Sequence, residues 1–324
     1  MPERIMKQIY NKVLQSEKIL LIPHQNPDAD ALGSITAFME FLTSISKNYQ
    51  GFCVTEISPK LFFLPNSEKF TFDEKILKEN FDLIIIFDTG SSDYTGLKDY
   101  LEKTKSFVIN IDHHPTNTLY GNLNLVNIDA CSTTEILYDF FTKNKIKVNH
   151  KMASCLLAGI ITDTDRFQNS NTTSKTIQTT GKLLEYGANL SQIQKNQYTN
   201  KTIKSLKMWG VILSRLTKKN EYSFAYTYIT QKDLIDNGAT AEDVEHIGNF
   251  MNSISDAKIR LVLKEEDSGY IKGSFRGSDD DSVNVAEYAK KLGGGGHKKA
   301  AGFKIKGTVE EVLKTIIGFL KKEE

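Results

Sequence analysis

Four short stretches of the 324-residue chain place carboxylates and imidazoles at the ends of apolar runs. "LLIPHQNPDAD" carries His24, Asp28 and Asp30, and "IIIFDTG" carries Asp88. "FVINIDHHPTN" carries Asp112, His113 and His114, and "AGIITDTDRF" carries Asp163 and Asp165. A carboxylate at the mouth of a buried strand must be paired, hydrogen-bonded or metal-bound, because an isolated buried charge is costly. Asp28 and Asp30 are two residues apart and so share a side in an extended segment. By the same alternation, the adjacent His113 and His114 face opposite ways and are expected to do different jobs. Singly, each stretch fits a bland role: an Asn/Pro/Asp turn, a helix cap at Asp88, or a helix end near Asp163. Together they point to one site, because the C-terminal ends of neighbouring parallel strands share a crevice. The pooled donors are oxygen and imidazole without thiolate, which suits Mn²⁺ or Mg²⁺ better than a structural zinc. Roughly six such donors are too many for one protein-bound Mg²⁺. They fit two divalent ions bridged by shared carboxylates, an arrangement used for phosphoester hydrolysis.

The elements that must position these groups are legible as hydrophobic patterns. "RIMKQIYNKVLQS" and "DALGSITAFMEFLTSI" have helical period, while "KILLIPH", "GFCVTE", "DLIIIFD" and "SFVINID" read as strands. "STTEILYDFFTKN" reads as a helix with a Ser/Thr entry and Glu135 close behind, a capped start. "HKMASCLLAGIITDTDRF" reads as a buried helix, which would place Asp163 and Asp165 in an apolar interior. Alternating buried strands and helices predict an α/β fold, a parallel sheet with helices on both faces. After Phe167 the pattern turns helical, and from about Tyr222 strands and helices mix again, predicting a smaller α+β domain. That last part includes a helix over "AEDVEHIGNFMNSI". The expected division is a first domain over 1–190, a helical connector over 191–218 and a second domain over 219–324.

Lys and Arg total 41 against 40 Asp and Glu, a net charge of +1, which argues against nonspecific, charge-driven duplex binding. Three cysteines without close pairs fit a reducing cytoplasm and offer no zinc knuckle. The start lacks a signal-peptide pattern, and the longest apolar runs are too short to span a bilayer, so a cytoplasmic protein without membrane attachment is expected. Trp209 reads as packing, and His150 and His246 read as capping or solvated residues.

In this order, the four stretches resemble the DHH phosphoesterase superfamily, whose name is the motif seen here as Asp112-His113-His114. "GSFRG" followed by "GGGGHKKAAGF" resembles a DHHA1 domain. Together they resemble the nanoRNase/pAp phosphatase group, which degrades very short oligonucleotides and 3′-phosphoadenosine-5′-phosphate (pAp). The resemblance implies that His24 and Asp28 hold one ion, that Asp30 holds the other, and that Asp88 bridges both. His113 and Asp163 would complete the second ion's ligands, with Asp112 orienting His113 and with His114 turned to the substrate phosphate. In the second domain, Arg276 would grip a phosphate, Gly294, Gly295 and Gly296 would admit close backbone approach, and His297 would add a further contact. Two departures stand out: Asp165 occupies a position where related sequences often have Gly, and "SSDYTG" after Asp88 lacks an Arg common there.

The implied activity is Mn²⁺-dependent hydrolysis of very short RNA or DNA single strands to mononucleotides, with removal of the 3′-phosphate of pAp. The second domain would hold the terminal phosphate and exclude duplex. Rival readings are a phosphodiesterase for linear or cyclic dinucleotides (pApA, cyclic di-AMP), an exonuclease on longer single strands, and a non-catalytic nucleotide-binding regulator. A homodimer is compatible with the sequence, which does not fix the oligomeric state.

Overall fold

A computed structural model describes residues 2–199, 202–244, 247–278 and 282–321. His246 and the Asp279–Asp281 run lie outside the described residues. The chain forms two compact units, Met1–Asn200 and Lys201–Glu324.

In the first unit, β1 (Lys18–Ile22), β2 (Asn48–Phe52), β3 (Phe70–Thr71), β4 (Leu83–Phe87), β5 (Phe107–Asp112) and β6 (Leu123–Val126) form one sheet. Its order is β3-β2-β1-β4-β5-β6, and every pairing is parallel. The aliphatic runs of β1 and β4 are buried on both faces, as a parallel sheet requires. Alternation sends Ile19, Leu21, Ile85 and Phe87 into the large core and Leu20, Ile22, Ile84 and Ile86 into a smaller one opposite. On the large-core side, helices Ala29–Ser44 and His150–Asp163 pack closely. Gly33 permits this contact, since a Cβ there would lie 2.5 Å from the Cys155 carbonyl oxygen. Helix Thr133–Lys143 completes the layer and starts at the expected cap: Ser132 Oγ accepts from the Glu135 N–H at 3.1 Å. Glu135 Oε2 reaches back to the Cys131 N–H at 3.0 Å.

The chain passes from β1 outward to β2 and β3, then returns to the other side of β1 for β4. This reversal opens a crevice at the C-terminal ends of β1 and β4, the usual ligand position in such sheets.

In the second unit, β7 (Thr217–Lys219), β8 (Phe224–Ile229), β9 (Ile259–Glu266), β10 (Tyr270–Gly277), β11 (Gly295–His297) and β12 (Ala300–Lys306) form a sheet ordered β11-β12-β10-β9-β8-β7. Only the β8–β9 pairing is parallel. Helices Val285–Lys291 and Val309–Leu320 cover one face, and Ile203–Ser214 packs on the other through Met208 and Ile212.

Two sequence expectations about these elements need correction. The buried helix ends at Asp163, with Thr164 as its cap, so Asp165 is not a helix-interior residue. Asp165, Arg166 and Phe167 have φ of 44°, 60° and 67°, three successive left-handed residues that no helix tolerates. The helix expected over "AEDVEHIGNFMNSI" is broken among the described residues into short turns at Ala241–Val244, Ile247–Phe250 and Met251–Ser253. Gly248, Asn249 and Asn252 are weak helix formers and interrupt it. The glycine run enters a hairpin, with β11 paired antiparallel to β12.

Candidate metal centre

The ends of β1, β4 and β5 are adjacent, and each delivers donors into the crevice. His24 follows β1 by two residues, and its Nδ1 lies 2.8 Å from the Gln25 carbonyl oxygen. That bond turns Nε2 inward, 3.7 Å from Asp88 Oδ2. Asp28 caps helix Ala29–Ser44: its Oδ1 accepts from the N–H groups of Asp30 (2.9 Å) and Ala31 (3.1 Å). The Asn/Pro/Asp turn expected here thus ends in a helix cap, which uses one of the two Asp28 oxygens.

Asp30, 1% exposed, sits at the start of that helix and against the N-terminus of helix Thr133–Lys143. It accepts from Thr133 N–H (2.7 Å), Thr134 N–H (3.0 Å) and the Thr134 hydroxyl (2.7 Å). Unpaired helix N–H groups and the positive end of the helix dipole suit an anion there. Gly159 leaves room for this contact, since its Cβ would lie 2.4 Å from both Asp30 Oδ1 and Thr134 Oγ1.

Asp88 leaves β4 with a φ of 54°, a left-handed conformation that Asp tolerates better than most residues. Its N–H still donates to Ile111 O at 2.9 Å, so the chain turns without losing the strand's last bond. Its carboxylate is 4% exposed, and its two oxygens face two sets of donors. Oδ2 faces His24, while Oδ1 lies 3.6 Å from His113 Nε2 and accepts from the Thr133 hydroxyl at 3.0 Å. His113 Nε2 is also 3.5 Å from Asp163 Oδ2, and its ring is steadied by a hydrogen bond to the Ala130 backbone. Ligand atoms of His24, Asp28 and Asp88 lie within 4.8 Å of one another. So do those of Asp30, His113 and Asp163, and those of Asp88, His113 and His114.

Asp112 holds a different imidazole from the one expected. Its Oδ1 is 2.7 Å from His114 Nδ1, and its Oδ2 accepts from Asn117 Nδ2 at 2.6 Å. Asp112 and His114 are two residues apart, so the alternation of side chains puts them on one side; beyond the end of β5 at Asp112 that alternation no longer separates His113 from His114. The two rings do not diverge, and their centroids are 4.6 Å apart. Asp112 thus holds the His114 ring through Nδ1.

The charges explain one another. Burial, then repulsion from Asp30 and Asp28, raises the Asp88 carboxyl from 3.8 to about 7. Burial and the other acids push Asp163 well above the ordinary range, and burial raises Asp30. Burial opposes charge on His113 and His114, but Asp88 with Asp30 for the first, and Asp112 with Asp88 for the second, hold both above the ordinary value. Burial likewise opposes the Asp112 charge, yet the His114 and Asn117 bonds hold its carboxyl below the usual range. A crevice that concentrates carboxylates until they hold protons fits divalent cations, and the oxygen and imidazole donors suit Mn²⁺ or Mg²⁺.

Among the described residues, Asp165 belongs to none of these groups; it is buried, 3.5 Å from Arg166 Nη2. In the second unit, Arg276 on β10 donates to Phe275 O (2.9 Å) and Asn249 Oδ1 (2.7 Å). With Lys264, Lys272 and Ser274 it lines a cavity of about 260 Å³. Registers Arg276↔Ala300 and Ala300↔His297 place His297 in the same sheet row, hence on the same face as Arg276. Gly294 precedes β11, Gly295 and Gly296 lie within it, and a Cβ on Gly294 would lie 2.1 Å from Gly302 O. Sequence reasoning missed Thr133, Thr134 and Asn117 as supports; "STTE" signalled only a cap.

This fold and crevice define a two-domain, DHH-type phosphoesterase architecture. Residues 18–160 match the DHH family, N-terminal domain, and residues 221–322 match the DHHA1 domain. The chain is 31% identical over 294 residues to the bifunctional oligoribonuclease and PAP phosphatase NrnA of Bacillus subtilis, covering 89% of this chain and 90% of that protein. It is 26% identical over 306 residues to the protein of the same name from Thermus thermophilus, covering 94% and 90%. An exopolyphosphatase-related protein from Bacteroides fragilis shares the fold, with a TM-score of 0.91 at 23% identity, covering 98% of this chain and 96% of that one. The chain belongs to the DHH family, in the form that carries a C-terminal DHHA1 domain. No helix among the described residues is long and apolar enough to cross a membrane.

Proposed function

We propose that this protein is a metal-dependent phosphoesterase that hydrolyses very short oligoribonucleotides to mononucleotides and removes the 3′-phosphate of pAp, with Mn²⁺ as the preferred ion. The carrying observation is Asp88, whose two oxygens face two separate donor sets. His24 and Asp28 would hold one cation with it, and Asp30, His113 and Asp163 a second. Bound divalent cations supply Lewis-acid polarisation of the phosphoryl group and a more acidic water. The chain's own residues supply position and charge. Asp112 and Asn117 fix the His114 ring, and its Nε2–H donates to a phosphoryl oxygen that gains charge in the transition state. The Thr133 hydroxyl and Ile111 carbonyl lock Asp88 in place. In the second unit, Arg276, His297 and the Gly294–Gly296 backbone bind a substrate phosphate. The names of relatives similar across both domains support this choice of substrate.

A substrate panel with purified protein tests the reading: pAp, 5′-phosphorylated RNAs of two to about five residues, pApA, cyclic di-AMP and a long RNA, each with Mn²⁺, Mg²⁺ or chelator. Release of mononucleotides from the short RNAs and of phosphate from pAp, lost in chelator, is the expected result. Activity unaffected by chelator, or confined to long RNA, contradicts it.

A further inference from the structure

The crevice is larger than the donor set. It is a cavity of about 530 Å³, within the size range of small-ligand sites. Its lining joins His24, Asp88, His114 and Asp163 with Gln25 and Tyr94. Tyr94 stands out in this lining. Its side chain is 64% exposed, a large ring held in water at the edge of a polar, acidic cavity. A single exposed aromatic needs no explanation by itself. Its mounting does.

Tyr94 sits in the one-turn helix Ser92–Thr95, which is braced at each end. Ser91 Oγ accepts from the Asp93 N–H at 3.4 Å, and Gly96 closes the turn with a φ of 73°. The Leu97 N–H donates to Thr95 Oγ1 at 3.0 Å, and Lys98 pairs with Asp93 at 2.9 Å. The turn is also tied to the donor segment: the Gln25 N–H donates to Tyr94 O at 2.8 Å. The Gln25 side chain lies so close over Gly96 that a Cβ there would meet its Nε2 at 2.2 Å. Tyr94 is thus fixed in register with His24, one residue before Gln25. The bracing orders the backbone and leaves the ring itself open to solvent.

We infer that Tyr94 is a nucleobase-stacking residue: its ring receives the base of the nucleotide whose phosphate occupies the donor crevice. This rests on the proposed nucleotide substrate and adds a residue that selects for a base. An exposed aromatic on an ordered backbone binds any base through its π-face, so the contact tolerates sequence, as a degrader of mixed short chains requires. Stacking uses the ring and not the hydroxyl, so Phe should serve as well as Tyr.

The test is calorimetric binding, in saturating Mn²⁺, of adenosine 5′-monophosphate and of ribose 5-phosphate, which has the same phosphate and sugar without a base. Tyr94→Ala should weaken the adenosine ligand by about 5- to 150-fold, the range that loss of one base–aromatic stack gives. It should leave ribose 5-phosphate binding as in the parent protein, and Tyr94→Phe should keep both affinities. Equal weakening of both ligands by Tyr94→Ala, or no weakening of either, overturns the inference. If the parent protein binds neither ligand and the substrate panel shows no chelator-sensitive hydrolysis, the proposed function itself fails; chelator-sensitive hydrolysis without binding of the adenosine ligand overturns this inference alone.

Discussion

Asp88→Asn should stabilise the cation-free protein while abolishing its cation binding. The unfolded carboxyl ionises near 3.8, whereas in the fold Asp88 is raised to about 7, first by burial and then by Asp30 and Asp28. Between those values the folded protein keeps a proton that the unfolded chain has lost. Stability therefore falls as pH rises through this window, and the full penalty is present above pH 7. The interval corresponds to roughly 4 kcal/mol at ~1.4 kcal/mol per tenfold. Asn removes the charge with little else: its side-chain oxygen can still accept from the Thr133 hydroxyl, and Asn tolerates the left-handed backbone at this position. The assay is urea denaturation in chelator at pH 4 and pH 8, followed by far-ultraviolet circular dichroism. The single tryptophan, Trp209, lies in the second unit, so its fluorescence separates that unit's transition. The expected gain for the first unit is about 2–4 kcal/mol at pH 8, because neighbouring acids share part of the penalty, and near zero at pH 4. Equal or lower stability of Asp88→Asn at pH 8 would refute the electrostatic account.

Further outcomes follow from the same geometry. Mn²⁺ binding should expel protons and tighten as pH rises through 7, since the Asp88 carboxyl is raised to about 7 without it; binding heats that do not depend on buffer ionisation would contradict this. Asp30→Ala should destabilise the first unit by about 1–3 kcal/mol even at pH 5 by orphaning the Thr133 and Thr134 donors; stabilisation by urea titration would show those bonds carry little. His114→Ala should cut turnover about 100-fold or more with cation stoichiometry retained, whereas His113→Ala should lose cation, as measured by elemental analysis. Gly159→Ala should lower cation affinity by displacing Asp30, read by Mn²⁺ titration.

How much was legible in the sequence depended on whether a residue's role is local. Apolar runs ending in His24, Asp88 and Asp112 signal strands whose ends meet, and the parallel sheet follows from their alternation with helices. The resemblance implies His113 as the partner of Asp112, whereas the two-residue spacing of Asp112 and His114 is the local signal for the pair that forms. Asp165 was misread because nothing local in "IITDTDRF" announces three left-handed residues in succession. The bonds from Thr133 and Thr134 to Asp30 span more than a hundred residues, so only the folded chain discloses them. The turn carrying Tyr94 departs from the resemblance by lacking an Arg, and only the folded cavity shows that it presents a ring.

The central claim is that Asp88 bridges two cation positions built from the two donor sets. Anomalous diffraction from crystals grown with Mn²⁺ tests it most directly. The account predicts two peaks about 4 Å apart, one beside His24 and Asp28, the other beside Asp30, His113 and Asp163, with Asp88 between them. A single peak, or peaks away from Asp88, would contradict it.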